Sequence, residues 1–140
     1  MDSNVTRRIL LETMVALACS PMTTSAAASA ATPPTPVFQS DLPDLSLKNW
    51  SVTAVEVAYG PGQSTPAHRH PGLTLVYVLE GEIRSKVGDG PETTYTPGQM
   101  FIETPGQLHA VSGNGSATQP ARLLAILLAE KGAELTTLAK

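Results

Sequence analysis

Residues 62–81 read GQSTPAHRHPGLTLVYVLEG, and residues 98–109 read GQMFIETPGQLH. In the first stretch, Gly60-Pro61-Gly62 turns the chain into a short extended run from Thr65 to His70, which Pro71-Gly72 stops. Leu73 to Leu79 is β-rich and almost wholly apolar, the pattern of a strand buried on both faces. Glu80-Gly81 turns the chain again. His68 and His70 stand two residues apart, so on a strand both side chains point to one face. In the second stretch a Pro105-Gly106 turn leads within three residues to His109, the remaining histidine of the chain.

Outward from these stretches the same rhythm continues. From Trp50 the chain alternates, with Val55, Val57 and Tyr59 on one face and Ala54, Glu56 and Ala58 on the other. Glu82–Val87 alternates too, and Gly88-Asp89-Gly90-Pro91 ends it. Thr93–Tyr95, Gln99–Glu103 and Leu108–Val111 follow as short strands, and Gly113-Asn114-Gly115 is expected to break the chain. Leu123 to Ala129 is the last apolar run, and by propensity alone it could be helical. About eight short strands punctuated by turns imply an all-β domain, either a barrel or a sandwich. An antiparallel chain of this length must close or cover its edges to avoid aggregation.

The 140 residues suffice for one domain. A net charge of −3, without a basic cluster beyond the extreme N-terminus, argues against a nucleic-acid partner. Residues 1–30 carry Arg7-Arg8, a short apolar stretch from Ile9 to Ala18 interrupted by Glu12, and a small-residue tract around Ala28-Ser29-Ala30. That order is an export signal, with Thr6-Arg7-Arg8 resembling the twin-arginine type, and it implies a periplasmic or secreted protein. Ala16-Leu17-Ala18-Cys19 is an alternative lipoprotein box, and a cytoplasmic tail is the plainer reading. The apolar stretch is too short to span a bilayer, so no stable membrane anchor is expected. Residues 31–45, with Pro33, Pro34 and Pro36, read as a linker or N-terminal arm, leaving 46–140 as the domain.

Cys19 stands alone, so neither a disulfide framework nor a thiolate cluster can form, and a bound metal needs His and oxygen donors. Three converging imidazoles form a half-shell for a first-row divalent metal, with open positions of the catalytic kind. An isolated histidine is usually an ordinary surface or core residue. Arg69 lies between two inward histidines, so alternation points it outward. Thr74, Val76 and Val78 share the strand face opposite Tyr77 and Leu79 and are expected to line the interior pocket. Glu103 is either a pocket acid, able to act as a general base near a metal, or a solvated strand-end carboxylate.

Together the two stretches resemble the two motifs of the cupin superfamily: glycine, five residues, His-x-His and a later glycine, then glycine, a Pro-Gly turn and His. Gly62, His68, His70 and Gly81 stand on the first, and Gly98, Pro105, Gly106 and His109 on the second, with a polar turn at Asn114. The resemblance spans about Val52 to Ala129. It implies a double-stranded β-helix, or jelly-roll barrel, with Leu123–Ala129 as a strand and a metal held by His68, His70 and His109. One departure matters: the glutamate of the family's first motif falls at Thr74, a poor ligand. Three readings stay open: a three-His centre, replacement of the missing acid by Glu103, or a weak or absent metal. The resemblance implies a divalent transition metal, iron(II) in first place, with manganese, nickel, copper or zinc as alternatives. The expected function is a metal-dependent enzyme, a dioxygenase-like oxidoreductase or a lyase or isomerase, acting on a small organic substrate. The alternative is a non-catalytic binding or sensing barrel, and a metal-free epimerase ranks last. Small molecules are the expected partners, and a homodimer built through the N-terminal arm stays open.

Overall fold

The computed structural model describes residues 34–140, so the export-signal reading of residues 1–30 lies outside the described residues. Residues 34–49 carry no strand, and most of them are exposed. Ten strands follow, with no helix among the described residues: β1 (Trp50–Tyr59), β2 (Ser64–Thr65), β3 (His68–Arg69), β4 (Leu73–Glu80), β5 (Ile83–Val87), β6 (Thr93–Tyr95), β7 (Met100–Glu103), β8 (Leu108–Asn114), β9 (Ala121–Glu130) and β10 (Thr137–Leu138).

The strands form two sheets, β1-β9-β4-β7 and β10-β3-β8-β5-β6, with β2 also paired to β8. Every pairing is antiparallel. The two sheets make a double-stranded β-helix. The last apolar run is a strand because it has partners on both sides. Leu123 to Ala129 pairs with β1 along its whole length and with β4 over most of it, and these ladders outweigh helix propensity.

Several expected boundaries shift for identifiable reasons. The run from Thr65 to His70 is two short strands, because Pro66 lacks an amide to continue a ladder. Gly113 does not break β8. It pairs with Ser64, and a Cβ there would fall 2.6 Å from the Ser64 Cβ, so the glycine is what allows β2 to approach. Asn114 ends β8 as a buried staple: its Nδ2 donates to the carbonyls of Gly60 (3.0 Å) and Gln119 (2.7 Å), and its Oδ1 accepts from Ser116 N (2.8 Å). β4 is not buried on both faces as its composition suggested. Thr74, Val76 and Val78 are buried, whereas Leu75, Tyr77 and Leu79 on the outer face are half-buried. Strand β10 has no counterpart in the sequence reading, since two paired residues leave no periodic trace.

The main hydrophobic core gathers Tyr59, Val76, Val78, Ile83, Phe101, Ala121 and Leu123, contributed by both sheets. Each large aliphatic residue fully buried there contributes about 1.5–3 kcal/mol. That core fills part of the barrel, and the rest remains open as a cavity.

Candidate metal centre

The site is assembled from both sheets. His68 on β3 and His109 on β8 are direct cross-strand partners, so their side chains share the inner face. His70 lies just beyond β3, and its carbonyl accepts from Gly106 N at 2.8 Å. Glu103 ends β7 in the other sheet, and the turn Thr104–Gln107 carries the chain across to His109. Gly106 adopts φ 74° in that turn, a left-handed conformation that a side chain would strain. At Gly72, two residues past His70, a Cβ would sit 1.9 Å from the Leu128 carbonyl, so only glycine admits β9 so close.

All four polar side chains are buried, and one potential ligand atom from each lies within 4.8 Å of every other. His68 Nδ1 lies 2.9 Å from the Pro66 carbonyl, and His70 Nδ1 lies 2.7 Å from the Leu135 carbonyl. A carbonyl only accepts, so each Nδ1 carries the proton and each Nε2 keeps a lone pair. Carbonyls that accept from the far ring nitrogen in this way fix the tautomer and ring orientation of metal-binding histidines. On His109 the ring is turned the other way: Nε2 meets Ser85 Oγ at 2.8 Å, and Nδ1 faces Glu103 Oε2 at 3.0 Å. Glu103 Oε2 also lies 3.6 Å from His70 Nε2. Burial is the largest influence on His68 and lowers its pKa. Neighbouring His109 and His70 act in the same direction, against the opposing hydrogen bond to Pro66 and the charge of Glu103. Its imidazole is therefore held neutral, as a metal ligand must be.

Glu103 Oε2 and His109 Nδ1 decide whether a cation fits. Both are buried and, despite their 3.0 Å separation, neither makes a well-directed hydrogen bond. Ser85 Oγ can accept from Nε2 or donate to it; with the proton on Nε2, the Nδ1 lone pair faces the carboxylate. In that tautomer two acceptors lie side by side, which is costly to bury without a positive charge between them. A first-row metal with ligands at about 2.1 Å holds opposite ligands roughly 4.2 Å apart, so little contraction is needed. The donor set, three imidazoles and a carboxylate, suits a divalent transition metal.

Sequence and structure meet here. A family profile described as the cupin domain matches residues 55–127, just over half of the chain. The chain is a cupin. A cupin-domain-containing oxidoreductase of Aspergillus ruber is 29% identical over 86 residues, 61% of this chain. The alignment spans only 42% of that relative's length. Among solved structures, an uncharacterized double-stranded β-helix protein from Klebsiella pneumoniae matches with TM-score 0.53 and 28% identity, over 64% of this chain and 75% of that one. The DMSP lyase DddQ from Ruegeria pomeroyi matches with TM-score 0.56 and 21% identity, over 64% of this chain and 43% of that one.

Against the cupin motif, the structure gathers Glu103 with His68, His70 and His109, so the cluster is not three histidines alone. Thr74, where the motif carries its acid, is the cross-strand partner of Glu103. The carboxylate thus stands one strand away from the motif position. Thr74 is not on the wall of the main cavity. It lines a narrow crevice with His70, Leu127 and Leu135, and its Oγ1 is buried without a hydrogen-bond partner. Val76 does line the cavity, whereas Val78, expected beside it, is wholly buried in the core two residues deeper. Arg69 points outward and donates to the Gly106 carbonyl at 2.7 Å.

The cavity above the cluster measures about 160 Å³. Its walls include Val55, Val57, Phe101, Leu123 and Leu127, with the four cluster residues at one side. Sequence reasoning missed Ser85, Leu135 and a group of hydroxyls at Tyr59, Thr65 and Ser112. Leu135 acts through its carbonyl, which no sequence pattern encodes.

Proposed function

We propose that this cupin is a metal-dependent enzyme that converts a small organic substrate inside the barrel. His68, His70, Glu103 and His109 are the residues that would hold a divalent transition metal, with iron(II) favoured. The observation that carries this reading is the orphaned pair Glu103 Oε2 and His109 Nδ1, buried 3.0 Å apart on the cavity wall. A divalent metal there supplies Lewis acidity, and iron(II) adds redox chemistry. The chain's own groups do the rest. The Pro66 and Leu135 carbonyls hold two imidazoles in their ligand tautomers, and apolar side chains form most of the cavity wall. Glu103 is the sole carboxylate among the lining residues, so any proton taken up by a carboxylate of the site goes to it.

The name of the Aspergillus ruber relative supports an oxidoreductase over a lyase, though the match spans under half of that protein. The proposed compartment is the periplasm or the exterior, from the signal read over residues 1–30. N-terminal sequencing of protein recovered from the periplasmic fraction tests that placement. The function itself is tested by elemental analysis of wild type, His70→Ala and Glu103→Ala, followed by oxygen-consumption assays with small aromatic and dicarbonyl compounds. Stoichiometric metal in the wild type, lost in both variants, is the expected result. A wild type that stays metal-free after reconstitution with iron, manganese, nickel, copper and zinc would leave the barrel as a binding cup.

A further inference from the structure

The cavity has a second polar feature apart from the His–Glu cluster. Tyr59 OH lies 2.7 Å from Thr65 Oγ1 and 3.0 Å from Ser112 Oγ, and all three residues line the cavity. Tyr59 and Ser112 are buried, and the neighbouring walls are apolar. Three hydroxyls bring three protons, but two contacts use only two of them. Among the described residues no other group bonds to the Thr65 or Ser112 hydroxyls, so one O–H of the trio is left without an acceptor. A buried donor without an acceptor is costly, which makes the trio a place for a ligand oxygen.

A backbone irregularity puts this trio on the same wall as the metal cluster. His109 and Ser112 are three residues apart on β8 and would face opposite sides of a regular strand. Against β5, Lys86 pairs with Val111 and Val87 with His109, so Ala110 is an extra residue. That bulge turns both His109 and Ser112 inward.

Building on the metalloenzyme reading above, we infer that the substrate is an uncharged molecule of about one six-membered ring. It carries two oxygen functions, one meeting the His–Glu cluster and the other accepting from the Tyr59–Thr65–Ser112 hydroxyls. The sheltered volume of about 160 Å³ accommodates one ring, as apolar cavities of roughly 150 Å³ take up benzene, and the space opens to solvent beside the exposed Val55. The charge follows from the lining, which contains neither lysine nor arginine. A second carboxylate at the hydroxyl end would be desolvated without a counter-charge. The apolar walls accommodate the ring beside the two polar groups.

Three probes of one ring separate the possibilities: benzaldehyde, 4-hydroxybenzaldehyde and 4-carboxybenzaldehyde. Their dissociation constants are measured by NMR titration of the full-length protein at mildly acidic pH, where the phenol of 4-hydroxybenzaldehyde is uncharged, both metal-free and Zn²⁺-loaded, alongside Tyr59→Phe and Ser112→Ala. 4-Hydroxybenzaldehyde is expected to bind roughly two- to tenfold tighter than benzaldehyde, the equivalent of one net neutral hydrogen bond. Either substitution should reduce that preference, and 4-carboxybenzaldehyde should bind no tighter than benzaldehyde. Equal binding of the first two, a preference untouched by both substitutions, tightest binding of the charged probe, or no binding of any probe overturns the inference. If Zn²⁺ fails to bind while the preference persists, the metalloenzyme reading falls and the hydroxyl subsite stands. If Zn²⁺ binds without any preference, the reverse holds.

Discussion

At the scale of single residues, the carboxylate beside the histidines sits where the usual motif does not put it. Thr74 and Glu103 face each other across β4 and β7, so exchanging them should return the acid to the motif position without moving either strand. Glu103→Ala is expected to weaken Zn²⁺ affinity by about tenfold or more, since a carboxylate donor is removed and losing even a group that only orients a metal ligand reaches that size. Adding Thr74→Glu to that variant should recover part of the affinity, and competition with a chromogenic chelator reads both. No loss in the single variant would remove Glu103 from the ligand set. His68 makes a second prediction. Its folded-state pKa lies below the ordinary value of 6.5, so near that pH the unfolded chain binds more protons than the folded one. Stability from this group is complete above 6.5 and is lost as pH falls toward the lowered value. Metal-free wild type should therefore lose urea resistance between pH 7.5 and 5 more steeply than His68→Gln. Equal slopes would mean that His68 is not the group responsible. The three histidines were legible because their spacing on strands fixes a face. Glu103 was ambiguous because a strand-end acid looks the same in sequence whether it faces solvent or a neighbouring sheet.

At the scale of elements, the C-terminal segment has the least sequence signature and a direct bearing on the site. β10 pairs with β3, Ala139 N donates to the Ala67 carbonyl at 2.8 Å, and the Leu135 carbonyl holds His70 Nδ1 at 2.7 Å. Leu135 and Thr136 also line the cavity. A chain ending at Glu134 keeps all strands from β1 to β9 and loses only this strap. Its expected phenotype is a Zn²⁺ affinity lower by roughly 10- to 100-fold, the range for losing a group that orients a metal-binding histidine, with the far-ultraviolet dichroism of the barrel retained. Unchanged affinity would mean that His70 needs no help from the strap. The long strands were readable because alternation repeats over several residues, as in Val55, Val57 and Tyr59. The strap and the Ala110 bulge were not readable. A two-residue strand has no period, and the bulge exists only in the register between β5 and β8.

At the scale of the whole molecule, the His–Glu cluster draws on both sheets. His68 and His109 come from one sheet and Glu103 from the other. The polar cluster is also a liability in the metal-free barrel, because Glu103 Oε2 and His109 Nδ1 are buried without partners. A ligand that binds only the folded state stabilises it by RT ln(1 + [L]/Kd), about 2.7 kcal/mol at a hundredfold excess over Kd. For a domain of about 100 residues, 1 kcal/mol corresponds to a shift of roughly 4–8 °C in melting temperature. Saturating Zn²⁺ should therefore raise the melting temperature of wild type by on the order of 10 °C or more. His109→Ala keeps the fold's hydrophobic cluster but removes one bridging imidazole and one orphaned atom. Its metal-free form should melt close to the metal-free wild type, and its Zn²⁺-induced shift should shrink to a small fraction. The comparison separates two sources of stability. A large Zn²⁺ shift that survived in His109→Ala would place the stabilising metal elsewhere on the molecule. A metal-free His109→Ala that melted far below wild type would instead mean that the imidazole is a packing element of the barrel.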